Sequence, residues 1–388
     1  MSNKLKVLYL VNIPSPYRVA YFNELGKLCN LTVLFERKSS DEREETWHDY
    51  NFENFQGVFL KGINYKKNQA ISVAFSKYIN SKDYDHIIVG GYATPTGALL
   101  INYLKLKRIP FILNIDGGMI SEKESNLKVS IKKYFISSAS AWLSTGKVGS
   151  KYLEHYGADS KKIFIYPFTT LKEIDILNQI LNKDEKKKLR KQLGLEGNRI
   201  ILTVGQFIHR KGFDILINAC SQIPSDTSIY FVGGSPTREY LELKDTLQLR
   251  NIHFLGFKSK DEILSFYRAA DVFVLPTRED IWGLVINEAM ANGLPVVTTD
   301  RCVAGLELVK DYDNGFIVPV ESVDELSLRI NEIINNYDLM INMAESSLQK
   351  AKKYTVENMA LETYEILNII KKDNLYVKYN ECERTKNK

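Results

Sequence analysis

The chain of 388 residues, with 44% hydrophobic and 26% charged residues, is long enough for two domains and has a globular rather than a disordered or fibrous composition. Its net charge is +5, but the sequence has no clustered basic stripe and no recognisable nucleic-acid-binding module. Nucleic acid is therefore not an expected partner. Four cysteines without metal-ligand spacing, and the lack of a signal peptide or a long apolar run, predict a cytoplasmic protein without disulfides or structural zinc.

Short apolar segments alternate with helical patterns through the first half of the chain, which is typical of parallel α/β sheets. Each segment is almost continuously apolar, as expected of a strand that is covered on both faces. The predicted strands are KVLYLVN, LTVLFE, HIIVGG, FILNID, AWLST and IFIYPF. We therefore predict a first Rossmann-like domain over residues 1–172.

A densely charged stretch over residues 173–197 interrupts this alternation and is predicted to be a helical linker. The alternation then restarts with the strands IILTVG, SIYFVGG, IHFLGF, VFVLP, PVVTT and GFIVP. This predicts a second Rossmann-like domain over residues 198–354, and an α/β fold class with two doubly wound domains. Ligands bind beyond the carboxyl ends of the strands in such sheets, so the residues after each strand are the candidates for function.

Two cations precede a predicted helix after the strand IILTVG. Gly205 ends the strand, and Arg210 and Lys211 come before Gly212 and the helix. A helix N-terminus offers free N–H groups and the positive end of a dipole, so this segment suits a phosphate group. Ordinary solvated loop residues are the alternative interpretation. Neither the dinucleotide-binding glycine spacing nor the P-loop spacing is present.

The segment TREDIWGLVINEAMANGLP, residues 277–295, carries two carboxylates eight positions apart. Asp280 follows the strand VFVLP, and Glu288 interrupts an otherwise apolar helix face. On a helix this separation spans roughly 12 Å at most, about the length of a nucleotide sugar from ribose to hexose. Carboxylates accept paired hydrogen bonds from hydroxyl groups, which predicts a sugar at Asp280 and a ribose at Glu288. Acidic residues also favour the first turn of any helix, so a structural role for Asp280 and Glu279 stays open.

The segment EDIWGLVINEAMANGLPVVTT resembles the donor-binding signature of retaining glycosyltransferases of family 4. VGQFIHRKGFDILINA, YFVGGSPTREYLE, IHFLGFKSKDEILSFYRAADVFVLP and NGFIVP occur in the order that the family uses. NIPSPYRVAYFNEL, VGGYATPTGALL, NIDGG and STGKVGSKYLEHYGA resemble the acceptor half of bacterial polysaccharide-assembly members. The resemblance implies the GT-B fold, in which two Rossmann-like domains face each other across a cleft. It also implies that a C-terminal helix, about residues 355–375, packs back on the first domain.

The resemblance implies roles for individual positions. The implied catalytic residues are Arg210, Lys211, Asp280, Glu288 and Asp116. The implied donor-binding residues are Gly205, Gln206, Gly234, Phe257, Lys258, Gly283, Leu284 and Val285. The implied acceptor-side residues are Ser15, Pro16, Tyr17, Arg18, Gly91 and Tyr92. The cations would contact the donor pyrophosphate, whose oxygen would take the acceptor proton, so that neither a cofactor nor a metal is implied.

Three positions depart from the family pattern. The first acid of the signature is Asp280, with Glu279 one place early, so which of the two contacts the sugar stays open. Gln206 stands where an arginine often follows the glycine. Asp116 stands where many members have a histidine, and it would either orient the acceptor or serve as a turn residue before two glycines.

The charge is unevenly distributed, because residues 1–172 hold 24 Lys and Arg against 15 Asp and Glu. This excess indicates an anionic partner, such as lipid headgroups or a phosphorylated acceptor, or simply a solvated basic surface. The expected partners are a UDP or GDP sugar and a hydroxyl on a lipid-linked glycan, with peripheral contact at the inner face of a bacterial membrane. The alternatives are an epimerase or phosphorylase on the same scaffold, and a non-catalytic partner that binds nucleotide sugars.

Overall fold

The computed structural model describes residues 4–38, 51–66, 69–79, 83–121 and 124–373. The chain divides into two compact units. The first comprises Met1–Thr170 together with Thr355–Lys388, and the second comprises Leu171–Tyr354. The stretch at 173–197, which the charge pattern predicts to be a linker, therefore lies within the second unit.

The first unit is built on a parallel sheet. Its strands are β1 (Lys6–Val11), β2 (Asn30–Phe35), β3 (Gln56–Phe59), β6 (His86–Val89), β7 (Ile112–Asn114), β8 (Ala141–Ser144) and β9 (Ile163–Ile165), and a separate antiparallel pair is formed by β4 (Ile63–Lys66) and β5 (Gln69–Ile71). The order in the sheet is β3-β2-β1-β6-β7-β8-β9, and every pairing described is parallel. The six predicted strands are confirmed, and β3 to β5 were not predicted.

Helices cover this sheet, and their local sequences explain where they begin. The helices that follow the strands are α1 (Pro16–Leu28), α2 (Pro95–Leu106), α3 (Asn126–Ile136) and α4 (Lys147–His155). Proline occupies the first turn of both α1 and α2, where its missing N–H costs nothing. The connections β6 to β7 to β8 run in one direction across the sheet, so right-handed crossovers place α2 and α3 on the same face.

The second unit repeats this architecture. Its strands are β10 (Arg199–Val204), β11 (Thr227–Val232), β12 (Ile252–Leu255), β13 (Val272–Leu275), β14 (Val296–Thr299) and β15 (Gly315–Val318). They form one parallel sheet in the order β12-β11-β10-β13-β14-β15. All six predicted strands are confirmed. The predicted fold class, two Rossmann-like α/β domains, is therefore correct.

The helices of the second unit are α5 (Lys183–Leu193), α6 (Phe213–Ala219), α7 (Arg238–Thr246), α8 (Lys260–Ala269), α9 (Leu284–Ala291), α10 (Val303–Leu308), α11 (Val323–Ile334) and α12 (Tyr337–Ala351). Helix α5 begins at an Asn182 capping box and ends at Gly194 in the left-handed conformation. Its Arg190 lies 2.7 Å from the buried carboxylate of Asp271, just before β13. This ion pair fastens α5 to the second sheet.

The last described helix, α13 (Val356–Lys372), packs against α1 in the first unit. The hydroxyl of Tyr21 on α1 donates a 3.2 Å hydrogen bond to Thr363, and Lys371 lies 2.8 Å from Asp85. Buried Leu367 and other apolar residues supply the packing face. Among the described helices, none combines the length and the apolar character needed to cross a membrane.

Candidate functional site

The carboxyl end of β10 leads into the cationic loop that the sequence predicted. A short 3-10 turn, His209–Lys211, is followed by Gly212 and helix α6. Gly212 has φ 65°, and a Cβ there would lie 2.0 Å from the carbonyl oxygen of Pro276. The loop therefore approaches the end of β13 so closely that only glycine fits.

Arg278, which the sequence analysis did not single out, holds this loop in place. Its backbone N–H donates to the carbonyl oxygen of Arg210 at 2.8 Å, and its Nη1 donates to that of His209 at 2.7 Å. Its guanidinium also forms a bidentate pair with Asp214, at 2.8 and 2.6 Å. Arg278 additionally pairs with Glu321, and these partners raise its pKa. The loops after β10 and β13 thus form one braced structure.

The braced loops bring Lys211 and Asp280 together. The Lys211 ammonium lies 2.5 Å from Oδ2 of Asp280, and both side chains are only 13% and 14% exposed. Arg210 is more exposed, lies 3.7 Å from the same oxygen, and donates to the carbonyl oxygen of Glu279 at 2.7 Å. The side chain that meets the cations is thus that of Asp280, whereas Glu279 is exposed. Both cations keep N–H donors for an anionic ligand.

Gly283 provides the entry to helix α9. It adopts φ 95°, and a Cβ there would lie 2.6 Å from the sulfur of Cys302. Leu284 and Val285 follow in the first turn and are half-buried. The first N–H groups of a helix have no acceptor within the helix, so this turn presents donors and the positive dipole end.

Glu288 lies on α9 and is half-buried. The hydroxyl of fully buried Tyr267 on α8 donates a 2.9 Å hydrogen bond to Oε2 of Glu288. Burial raises the pKa of Glu288 to about 6, and the bond from Tyr267 partly offsets that rise. The carboxylate is thus oriented by a tyrosine and is ionised at neutral pH. Tyr267 was missed because nothing in the local sequence pairs it with a residue on the next helix.

The other predicted donor residues follow the carboxyl ends of the same sheet. Gly205 and Gln206 follow β10, Gly234 follows β11, and Phe257 and Lys258 follow β12. Gln206 and Phe257 are exposed, with Phe257 at 68%. Lys258 is tied to Glu262 at 3.3 Å. All these positions border the edge that carries the Lys211 and Asp280 pair, because the carboxyl ends of parallel strands share one edge.

The residues predicted for the acceptor side lie in the first unit, around the carboxyl edge of its sheet. Ser15 and Pro16 begin α1, and Tyr17 is half-buried. The buried guanidinium of Arg18 forms an ion pair with Asp116, which follows β7. The Nη1 atom of Arg18 has no hydrogen-bond partner among the described residues. The structure thus gives Asp116 the task of holding a buried cation rather than a turn role alone.

A buried acid, Glu36, lies at the same edge, and the sequence analysis did not identify it. Glu36 follows β2, is 4% exposed, and accepts a 2.6 Å hydrogen bond from Thr94 before α2. Its Oε2 has no partner in the part of the chain that the structure describes. Burial raises the pKa of Glu36 to about 7, and the hydrogen bond from Thr94 offsets only part of that rise. Because β1 lies between β2 and β6, this bond crosses the point where the strand order reverses, which is where open α/β sheets bind ligands.

Gly91 and Tyr92 follow β6 at this edge. A Cβ on Gly91 would meet no atom within 4 Å, so the backbone there is open to a ligand. The hydroxyl of Tyr92 lies 2.7 Å from that of Tyr152, and its ring stacks on Phe135. Tyr92 is thus anchored at its tip, which fixes the ring beside the open backbone.

Within the described residues, no group of three or more His, Cys, Asp and Glu side chains is arranged to hold a metal ion. Two D-Y-D triplets, at 83–85 and 311–313, resemble a metal-binding D-x-D motif in sequence, but one aspartate of each accepts a hydrogen bond from the backbone. Asp85 accepts from the N–H of Lys6 at 2.8 Å, and Asp311 accepts from that of Ile317 at 2.9 Å.

Comparison with known proteins shows that the chain is similar to glycosyltransferases. The family model described as glycosyl transferases group 1 matches residues 185–353. An uncharacterized glycosyltransferase of Methanocaldococcus jannaschii is 31% identical over 332 residues, which are 81% of this chain and 86% of the relative. A Campylobacter jejuni protein named N,N'-diacetylbacillosaminyl-diphospho-undecaprenol alpha-1,3-N-acetylgalactosaminyltransferase is 20% identical, over 74% of this chain and 78% of its own.

Among solved structures, Anabaena HepE in complex with UDP superposes with a TM-score of 0.75. The likeness covers 94% of this chain and 100% of HepE at 19% sequence identity. HepE has also been solved with UDP and glucose. At this identity the likeness establishes the fold, which is that of the GT-B enzymes.

Proposed function

The chain belongs to the glycosyl transferases of group 1, and from this premise we propose that it moves a sugar from a UDP or GDP sugar to a hydroxyl of a lipid-linked glycan. The transfer retains the anomeric configuration, needs no metal, and serves bacterial polysaccharide assembly. The observation that carries the proposal is the Lys211 and Asp280 pair, which lies beside Arg210 at the carboxyl edge of the second sheet.

The donor lies along this edge with its diphosphate at the cations. Arg210, Lys211 and the first turn of α9 supply positive charge and N–H donors to the phosphates. Asp280 exchanges part of its contact with Lys211 for hydroxyls of the sugar, and Glu288 accepts the two ribose hydroxyls. A nucleotide-sugar donor is supported by HepE, which shares the fold and was solved with UDP.

The chemical step cleaves the bond between the anomeric carbon and the leaving phosphate oxygen. Negative charge grows on the diphosphate, and positive character grows on the anomeric carbon. Fixed cations and a helix N-terminus stabilise the developing charge by preorganised electrostatics, usually the largest contribution in such sites. The acceptor oxygen attacks from the face that the phosphate leaves, and a phosphate oxygen takes the acceptor proton.

The acceptor side is assigned to the first unit. The carboxyl edge of its sheet carries buried Glu36 and buried Arg18, and Arg18 pairs with the partly exposed Asp116. A lipid-linked acceptor is supported by the name of the Campylobacter relative, which includes a diphospho-undecaprenol carrier.

A donor panel tests the proposal. The purified chain is heated with UDP and GDP sugars in turn, and one of them should raise the melting temperature, because a ligand that binds only the folded state stabilises it. That donor is then incubated with lipid-linked glycan acceptors, and NMR of the product reports whether the anomeric configuration is retained.

Variants define the donor site. Lys211→Glu combined with Glu288→Gln should abolish both the thermal shift and transfer. Lys187→Glu combined with Glu345→Gln changes the same residue types at exposed positions of α5 and α12 and should leave both unchanged. If the first pair retains donor affinity and turnover, the proposed site is wrong. Product formed without acceptor, or only with inorganic phosphate, would identify an epimerase or a phosphorylase, and donor binding without turnover on any acceptor would identify a binding partner.

A further inference from the structure

Helix α3 exposes apolar side chains on the face that points away from the core. Leu127, Ile131 and Tyr134 recur at i, i+4 and i+7, which places them on one side of the helix. Leu127 is 71% exposed. The buried residue of α3 is Ile136, on the opposite side. A helix that only covers a sheet would have the reverse pattern.

Helix α2 extends the same apolar area. Leu99 and Leu106 lie seven positions apart on its exposed side, and Leu106 is 82% exposed. Between them, Asn102 accepts a 2.6 Å hydrogen bond from the hydroxyl of Tyr134. The Lys105 ammonium lies 3.5 Å from the centre of the Tyr134 ring. These contacts join the two helices into one area, which we call the α2–α3 surface: Leu99, Leu106, Leu127, Ile131 and Tyr134.

The charged side chains of α2 and α3 are all basic. Neither helix contains an aspartate or a glutamate. Lys105, Lys107 and Arg108 lie at the end of α2, and Lys128 and Lys133 are exposed on either side of the apolar residues of α3. The nearby cation Lys132 is already paired with Glu124 at 2.6 Å.

Exposed apolar side chains surrounded by lysines match one environment well, the surface of an anionic bilayer. Apolar residues insert at the boundary between headgroups and acyl chains, while the lysines meet the anionic headgroups. A protein partner would need an apolar centre ringed by acidic groups in a matching pattern. An anionic bilayer supplies an apolar interior and negative headgroups however the helix pair is rotated on its surface.

We propose that the α2–α3 surface docks the first unit on an anionic lipid bilayer, with Leu127 and Ile131 inserted and Lys128 and Lys133 on the headgroups. The biological purpose rests on the proposed function, because a lipid-linked acceptor is presented at that bilayer. The binding itself involves none of the residues assigned to the donor, so it is tested separately.

Vesicle sedimentation of the full chain without donor tests the proposal. The protein should bind vesicles of phosphatidylcholine mixed with phosphatidylglycerol, bind vesicles of phosphatidylcholine alone much more weakly, and be released by salt. Lys128→Gln with Lys133→Gln should weaken binding roughly twenty-fivefold, because each lysine near such a surface contributes about fivefold. Leu127→Ser with Ile131→Ser should weaken it roughly tenfold or more.

Matched controls keep the result specific. Lys187→Gln with Lys188→Gln removes two exposed lysines from α5, and Ile174→Ser with Leu328→Ser removes two exposed apolar side chains from the second unit. Neither pair should change vesicle binding. The proposal is overturned if the native chain does not bind the anionic vesicles, or if these controls weaken binding as much as the surface variants.

Two further readouts complete the test. Sedimentation velocity without vesicles should show that the surface variants do not alter self-association. If the native chain forms a dimer that the surface variants abolish, the α2–α3 surface binds a second copy of the chain and the proposal is overturned. The thermal shift with donor should be unchanged in all surface variants. If a surface variant loses vesicle binding but keeps the thermal shift that the donor causes, the loss is due to the α2–α3 surface and not to the donor site. If the native chain shows no thermal shift with any donor, the proposed transfer is contradicted and the membrane proposal is not.

Discussion

The hydroxyl of Tyr267 donates a hydrogen bond of 2.9 Å to Oε2 of Glu288. The tyrosine is fully buried, so its single polar atom is committed to this carboxylate. Burial raises the pKa of Tyr267, and the adjacent Glu288 adds to that rise, so the phenol stays a donor. Helix α8 thus orients a side chain of α9 that we assign to the donor ribose.

Tyr267→Phe removes this bond without removing the ring. We expect the KM for the donor to rise roughly tenfold or more, because a hydrogen bond to a charged group contributes about 1.5–3 kcal/mol, while kcat changes little. Calorimetric titration of the donor and steady-state kinetics measure the two effects. Tyr230→Phe is the control, since Tyr230 accepts a 2.7 Å bond from the N–H of Glu196 at the opposite end of the sheet. Equal effects of the two variants on donor affinity would contradict a positioning role for Tyr267.

Donor affinity should depend on pH through Glu288. Burial raises the pKa of this carboxyl to about 6, and only its ionised form accepts from both ribose hydroxyls. The affinity should therefore be constant above pH 7 and fall as the pH drops below about 6, approaching tenfold per pH unit. Titrations from pH 5 to 8 measure this. Glu288→Gln should bind more weakly at neutral pH and lose this fall, and a Gln variant that keeps the full fall would assign the titration to another group.

Glu36 should make the first unit less stable as the pH rises. Its pKa is raised from 4.5 to about 7 in the folded state, so between these values the folded chain binds more protons than the unfolded chain. The free energy of unfolding then falls as pH increases, by about 3 kcal/mol at most across the window. Glu36→Gln should be more stable than the native chain at pH 8 and similar to it at pH 4.5. Urea unfolding at both pH values measures this, with exposed Glu53→Gln as the control, and a variant that is less stable at pH 8 would contradict the prediction.

Much of the fold was predictable because its sheets are parallel and buried on both faces. Strand β13 is a continuous apolar run with every residue buried, whereas the unpredicted β3 is a half-buried edge strand of four residues that includes Gly57. The rule that functional residues follow strand ends selected Asp280 as a candidate, and the structure pairs that residue with Lys211. The partner relationships were not accessible, because Lys211 and Asp280 are 69 positions apart and Glu36 and Thr94 are 58 apart. Such pairings depend on strand order, which local patterns do not encode.

Gly212 should be the least replaceable residue of the cationic loop that joins β10 to α6. Alanine there has two costs: the left-handed φ of 65°, and a Cβ placed 2.0 Å from the carbonyl oxygen of Pro276. Gly194 has the same φ of 65°, but a Cβ there would meet no atom within 4 Å, so Gly194→Ala reports the conformational cost alone, about 1–2 kcal/mol. Gly212→Ala adds the displacement of the loop from β13, which moves Arg210 and Lys211 away from Asp280. We therefore expect a larger loss of unfolding free energy in urea than for Gly194→Ala, together with a loss of the donor-induced thermal shift that Gly194→Ala retains. Equal losses of stability in the two variants, with donor binding intact in both, would show that the close approach to Pro276 does not hold the loop.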